Sequence, residues 1–144
     1  MLRVLLYLWA LPVTLLGVLV ALISRGSGGT LQRVEGVLEV AGGWPAWVLL
    51  RGFPFSGAVA ALTLGHVVVG VSLNALTATR AHERAHVRQF ERWGILLLVL
   101  YPLAGLLAWV RGGNPYRDNP FEREARATES ATRQSLRMTH SPGR

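Results

Sequence analysis

"RAHERAHVRQFERWG", residues 80–94, is the stretch on which the reading of this chain turns. Inside it, His82-Glu83-Arg84-Ala85-His86 forms an HExxH pattern. Residues four apart share a helix face, so both imidazoles can reach one divalent cation. Glu83, directly after the first histidine, is then placed to accept a proton from a water activated beside them. Ala81, Ala85, Val87 and Phe90 recur among the charges at helical spacing, which predicts a helix over 79–93. A plain solvated helix, with Glu83 paired to Arg80 or to the neighbours of Arg84, would carry similar charges. The setting favours a site: the flanking segments are among the most apolar in the chain and need no solvated face.

Working outward, residues 4–23 contain no charge and are numerous enough to cross a bilayer as a helix. Arg3 and Arg25 bracket the run, and Tyr7 and Trp9 lie near one end, where interfacial aromatics gather. The run is long for a signal-peptide core, and no small-x-small site precedes "SRGSGG", so 1–24 reads as an uncleaved transmembrane anchor and 25–30 as a linker. "TLQRVEGVLEVAGG" alternates apolar and polar residues up to a glycine stop, the pattern of a strand, and "WPAWVLLRG" reads as a second. Residues 57–79 are apolar enough to span a membrane. Their β-branched residues, with Gly65 and Gly70, favour buried strands and a bend, with His66 packed in the core.

Downstream, "GILLLVLYPLAGLLAWV" (94–110) has 17 residues, short for a span, and Pro102 interrupts it. It fits a buried helix, a re-entrant element or a membrane-dipping hairpin. "RGGNPYRDNP" is turn-rich, and "PFEREARATESATRQSL" reads as a helix with Asn119 as N-cap and Pro120 at its first position. Residues 138–144 read as a flexible tail.

Composition narrows the chemistry. With no cysteine, disulfides and thiolate metal sites are excluded, and any metal must be held by His, Asp, Glu or water. All 15 basic residues are arginine, and the formal net charge is +7. The abundance of Arg, Ala, Gly, Leu and Val is what GC-rich coding produces. No basic-aromatic surface is interleaved along the chain, so the expected partner of this charge is membrane lipid and not nucleic acid. Fourteen of the arginines follow the anchor, with Arg25 and Arg33 close behind it, which leans the domain towards the cytoplasmic side of the membrane.

A catalytic zinc site needs a third protein ligand. The continuation of HExxH seen in metzincins would put a histidine at position 92, which is Arg92, and position 89 is Gln89. The third ligand is therefore expected from a separate element, as in gluzincins, and "NPFEREA" offers Glu122 and Glu124. Two apart on a helix, these cannot both point at one metal. Gln89, one turn from His86, is positioned to hydrogen-bond behind it, or to be a surface amide. Tyr116 and Asn119 are candidates for oxyanion stabilisation, against turn and cap roles. Arg88 and Arg92 read as interfacial or paired with Glu91, and Trp93 as a packing or interfacial anchor.

Taken together, HExxHxxQ at 82–89, NPxExEA at 119–125 and the preceding TxGHxxxG at 63–70 resemble small bacterial membrane-associated HExxH proteins of the gluzincin type. The likeness covers roughly residues 58–126. It implies an α+β chain: an N-terminal transmembrane helix, a small sheet, an HExxH active-site helix and a downstream glutamate-bearing ligand helix, a minimal zincin-like core within 31–137. It also implies Zn2+ held by His82, His86 and Glu122, with Glu83 as general base acting on a peptide or protein substrate. Glu122 is favoured over Glu124 because Ala125 then falls where an ExxAD pattern has its alanine, although Arg126 replaces the aspartate. The alternative expectation is a non-catalytic, metal-stabilised membrane sensor or scaffold.

Overall fold

The computed structural model describes residues 2–53 and 57–139. The elements run α1 (Leu2–Gly26), β1 (Thr30–Val34), β2 (Val37–Ala41), α2 (Gly43–Arg51), β3 (Ala61–Leu64), β4 (Val67–Gly70), α3 (Leu73–Trp93), a 3-10 turn (Gly94–Leu96), α4 (Leu97–Val110) and α5 (Pro120–Thr139). The architecture is α+β. Four strands form one mixed sheet in the order β1-β2-β4-β3, with β2 and β4 parallel and both outer pairs antiparallel.

Strand alternation sets the layers, because successive side chains leave opposite faces. From β2 and β4, Val40, Val67 and Val69 pack on one face against Ala21 of α1 and Leu49 of α2. Val37, Ala41, Ala61 and Val68 point the other way and meet Leu76 and Val87 of α3. Glu39 and Thr63 share this second face, which brings both polar groups onto the HExxH helix. β4 is buried along its whole length, which explains its uninterrupted run of valines.

The N-terminal helix is more than an apolar rod. Ala10, Val13, Gly17, Ala21 and Ser24 are buried at helical spacing, a stripe of small residues that lets its backbone approach the sheet. A Cβ on Gly17 would stand 2.7 Å from Val67 Cβ and 2.8 Å from the Leu64 carbonyl oxygen. The opposite face is exposed and apolar. By length and composition, two helical stretches could cross a membrane, Val4–Gly26 and Leu73–Val110. For α1 that composition suits an anchor or a signal sequence. In the second stretch α3 carries charge from Arg80 to Arg92, and the most apolar part is the 3-10 turn and α4.

Three local expectations change. The strand anticipated over 30–40 is a hairpin, β1-β2, turned at Glu35 (φ 49°) and Gly36 (φ 83°), both in the left-handed region. "WPAWVLLRG" is helical, not extended: Pro45 sits in the first turn of α2, and Ala46 and Leu49 fall on one face towards α1. Packing of that stripe outweighs the strand propensity of its tryptophans and valine. The HExxH helix also starts earlier than residue 79, at Leu73, where the Ser72 hydroxyl accepts from the Ala75 amide at 3.1 Å. Residues 57–79 do supply buried strands, with Gly65 (φ 63°) and His66 at the turn between β3 and β4. Of the tail expected over 138–144, Met138 and Thr139 end α5 and the rest lies outside the described residues.

Candidate metal centre

Three donors converge. His82 and His86 lie one turn apart on α3, and Glu122 reaches them from the first turn of α5. The two Nε2 atoms are 3.2 Å apart. His82 Nε2 stands 3.3 Å from Glu122 Oε2, and His86 Nε2 stands 3.2 Å from Glu122 Oε1. Donors bound at about 2.0–2.1 Å to a tetrahedral cation lie about 3.3–3.4 Å from one another, so these separations fit a four-coordinate ion such as zinc. All three side chains are largely buried.

The hydrogen bonds behind the histidines fix what they present to one another. Gln89 is almost fully buried, and its Nε2 donates to the Phe121 carbonyl and to Glu124 Oε2, both at 3.0 Å. That orientation turns Gln89 Oε1 to His86 Nδ1 at 2.9 Å, so Nδ1 carries a proton and donates. In neutral His86 a lone pair therefore remains on Nε2, aimed at the second imidazole and the carboxylate. Glu129, two turns beyond Glu122, brings Oε2 to 3.6 Å from His82 Nδ1. Glu129 is thus the carboxylate beside His82 Nδ1, and Arg126 does not face that ring. Arg126 instead bonds the Arg117 carbonyl and lies 3.8 Å from Glu122 Oε2.

Glu122 itself is placed by the cap. Asn119 is fully buried; its Oδ1 accepts from the Phe121 amide and its Nδ2 donates to the Tyr101 carbonyl. Asn119 is thus committed to tying α5 to α4 and is not free to act as an oxyanion donor. Tyr101 donates to Glu122 Oε1 at 2.6 Å. Oε2 is buried and, among the described residues, receives no hydrogen bond. Burial alone would raise the Glu122 pKa, but the two imidazoles and the Tyr101 hydroxyl hold it well below the usual carboxylate range. A buried carboxylate oxygen without a hydrogen bond, 3.3 Å from His82 Nε2 and 3.8 Å from Arg126, is an arrangement that a bound cation would complete.

Glu83 projects beside this group. Its Oε2 accepts from Thr63 Oγ1 at 2.7 Å, so the β3 edge orients the carboxylate. Burial pushes its pKa up, against the opposing pull of His86 and the Thr63 hydrogen bond. Burial would lower the His86 pKa, but Glu122, Glu83 and Gln89 together hold it above the ordinary value. Tyr116 lines the same cavity; burial first, then the Glu122 carboxylate, pushes its phenol up to about 12.

Other expectations resolve differently. Glu124 is half-exposed and bonds Gln89 and Arg92, away from the histidines. Glu83 does not pair with Arg80, which instead clasps Glu39 of β2 at 2.8 and 2.9 Å. Glu91 takes His66 at 3.1 Å. His66 is a buried joint: its ring stacks on Tyr7 at 3.9 Å and its amide donates to Thr14 Oγ1, linking α1, the β3-β4 turn and α3. Sequence reasoning did not anticipate Thr63, Tyr101 or Glu129. Thr63 lay within the quoted TxGHxxxG stretch, and Glu129 falls seven residues after Glu122 on the same helix face; nothing marked Tyr101 among the leucines.

A cavity of about 470 Å³ opens onto the three donors and Glu83, walled by β3, α3 and α4. Compared with family models, curated proteins and solved structures, the chain matches none of them.

Proposed function

We propose that this chain is a membrane-anchored, zinc-dependent hydrolase of the metallopeptidase type, with His82, His86 and Glu122 as ligands and Glu83 as general base. The observation that carries the reading is the meeting of two imidazole Nε2 atoms with the buried Glu122 carboxylate, whose Oε2 has no hydrogen-bond donor among the described residues. A nitrogen- and oxygen-rich donor set without thiolate suits zinc, which when bound polarises a carbonyl and lowers the pKa of water. Glu83 accepts a proton from the attacking water and hands it to the departing amine; a pKa raised by burial suits both transfers. Thr63 keeps that carboxylate in place. Tyr116, a phenol that stays protonated at neutral pH, can donate to the oxygen of the substrate carbonyl.

A polypeptide substrate is supported by the sheet. Among the described residues β3 is an edge strand, paired with β4 alone, and its residues Ala61 to Leu64 line the cavity. An extended chain can add to such an edge through its backbone. The cavity beside the donors favours this over a purely structural metal site, whose coordination would be closed by protein. An uncleaved α1 is supported by its packing: removing it would strip cover from Val40, Val67, Val69, Phe90 and Leu97. The arginines that follow α1 favour a cytoplasmic domain.

Metal analysis of the purified chain should give one zinc per molecule, lost in His86→Ala and Glu122→Ala and kept in Glu124→Ala. Glu83→Gln should keep its zinc and lose hydrolysis of an unstructured protein substrate. Undiminished hydrolysis by purified Glu83→Gln would refute the assigned base.

A further inference from the structure

α4 separates the candidate site from its surroundings, and its outer surface is unusual for a face in water. From Gly94 to Val110 no residue is charged, and Val99, Leu103, Leu107 and Val110 are each about half exposed or more. Soluble surfaces rarely gather so much contiguous apolar area. All five tryptophans, Trp9, Trp44, Trp47, Trp93 and Trp109, are between 38% and 57% exposed, where aromatic side chains normally bury most of their surface. Tryptophan collects at bilayer interfaces, and arginines stand at both ends of the uncharged run, Arg88 and Arg92 before it and Arg111 after it. The start of α4 packs on the middle of α1 through Leu97, Ala10 and Val13, so the two apolar outer faces adjoin. At 14 residues, α4 is about 21 Å long, short of the roughly 30 Å hydrocarbon core, so by itself it does not reach across a bilayer.

The cavity mouth belongs to this face. Phe53, Leu62, Leu98, Leu106 and Trp109 all line the cavity, and each is more than one-third exposed. The polar groups, His82, Glu83, His86 and Glu122, lie at the inner end and are largely buried. We propose that the α4 face sits in the bilayer and that the cavity is loaded laterally from it, so that the substrate is an apolar segment of a membrane-embedded polypeptide. This rests on the hydrolase reading for its substrate class. Its geometry is independent of that reading. A segment in hydrocarbon lacks water partners for its backbone, which adds to the advantage of pairing with the outer edge of β3.

The chain has no cysteine, so single-cysteine variants report without background. Full-length protein in phosphatidylcholine and phosphatidylglycerol vesicles would carry Leu62→Cys, Leu106→Cys or, as a water-facing reference, Arg33→Cys. A membrane-partitioning maleimide should outpace a sulfonated one at positions 62 and 106 by about tenfold or more relative to position 33, since charge is excluded from hydrocarbon. Equal ratios at all three positions would overturn the proposal. Val99→Cys dimers that survive dilution into excess lipid would also overturn it, by making the face an interface between copies. For the substrate class, benzoylphenylalanine at Leu106 is photolysed beside a leucine- and alanine-rich membrane-spanning peptide. Peptide adducts are expected; phospholipid adducts alone, whatever the peptide concentration, would overturn the polypeptide assignment. None of these readouts needs metal, so His82→Ala/His86→Ala should keep the labelling pattern. Loss of the hydrolase reading would then leave lateral access standing, and the reverse.

Discussion

Gln89→Leu separates the metal reading from plain packing. The leucine has similar bulk but cannot accept from His86 Nδ1 or donate to Phe121 and Glu124. Without metal, the buried His86 Nδ1–H loses its partner, at a cost of about 1–3 kcal/mol. With metal, freeing the ring from its hydrogen bond should weaken binding by about 10–100-fold. At zinc one hundred times the wild-type Kd, metal stabilises the wild type by about 2.7 kcal/mol. The same zinc concentration is only about one to ten times the variant's Kd, which leaves about 0.4–1.4 kcal/mol. For a chain of this size, about 3 °C of Tm per kcal/mol turns this into a zinc-induced rise of about 8 °C for wild type and about 1–4 °C for the variant.

The assay is thermal unfolding in detergent micelles with and without zinc, beside a competition titration against a chromophoric chelator. Gln89→Glu is the informative companion. It keeps an acceptor for His86 Nδ1 but cannot donate to Phe121 and faces Glu124, so its apo protein should be weakened while its zinc-induced shift survives. A folded Gln89→Leu protein with the wild-type zinc shift would refute the argument and reduce Gln89 to a packing residue.

Two further outcomes test how the site is held. Gly17→Val should lower Tm by the cost of overpacking, about 1–3 kcal/mol, because the new Cβ meets Val67 and the Leu64 carbonyl; an unchanged Tm would mean that α1 does not dock on the sheet. Arg80→Met should cost about 2–3 kcal/mol, below the roughly 3–5 kcal/mol of a fully buried broken pair, since Arg80 is one-third exposed and Arg84 lies 3.8 Å from Glu39. Burial would raise the Glu39 pKa, but hydrogen bonds from Arg80 and Gln32, with the charges of Arg80 and Arg84, bring it below its ordinary value. Its folded pKa is thus the lower one, so the contribution is present above the unfolded value of about 4.3 and is lost as pH falls through the folded value. Wild type and Arg80→Met should therefore differ in Tm at pH 6 and converge at strongly acid pH; a constant gap would rule out the ion pair as the cause.

Local pattern was enough for much of this protein. The four-residue spacing of His82 and His86 needs only helical geometry to put both rings on one face, and the uncharged run over 4–23, free of the β-branched clusters and paired glycines that mark 57–79, reads as an apolar helix. Asn119-Pro120 announced the start of α5 because capping chemistry acts within a single turn. Where the energy lies in distant contacts, pattern misleads. "WPAWVLLRG" has strand-like residues yet folds as α2, since its small and apolar stripe is decided by the α1 surface it meets. The Glu35-Gly36 turn was hidden because alternation continues through it on both sides of the hairpin.

The same division runs through the site. The sequence by itself determined two imidazoles and an adjacent carboxylate on one helix, and limited the third donor to two glutamates. Tertiary structure alone turns Glu122 towards the histidines and Glu124 towards Gln89 and Arg92, because the choice depends on how α5 is rotated against α3. That rotation is set by Asn119 bonding to α4 and by Gln89 gripping the Phe121 carbonyl, contacts 18 and 32 residues apart in sequence. Glu129 behind His82 and Thr63 beneath Glu83 follow from the same packing: their roles arise from side chains brought together across elements, which no spacing along the chain encodes.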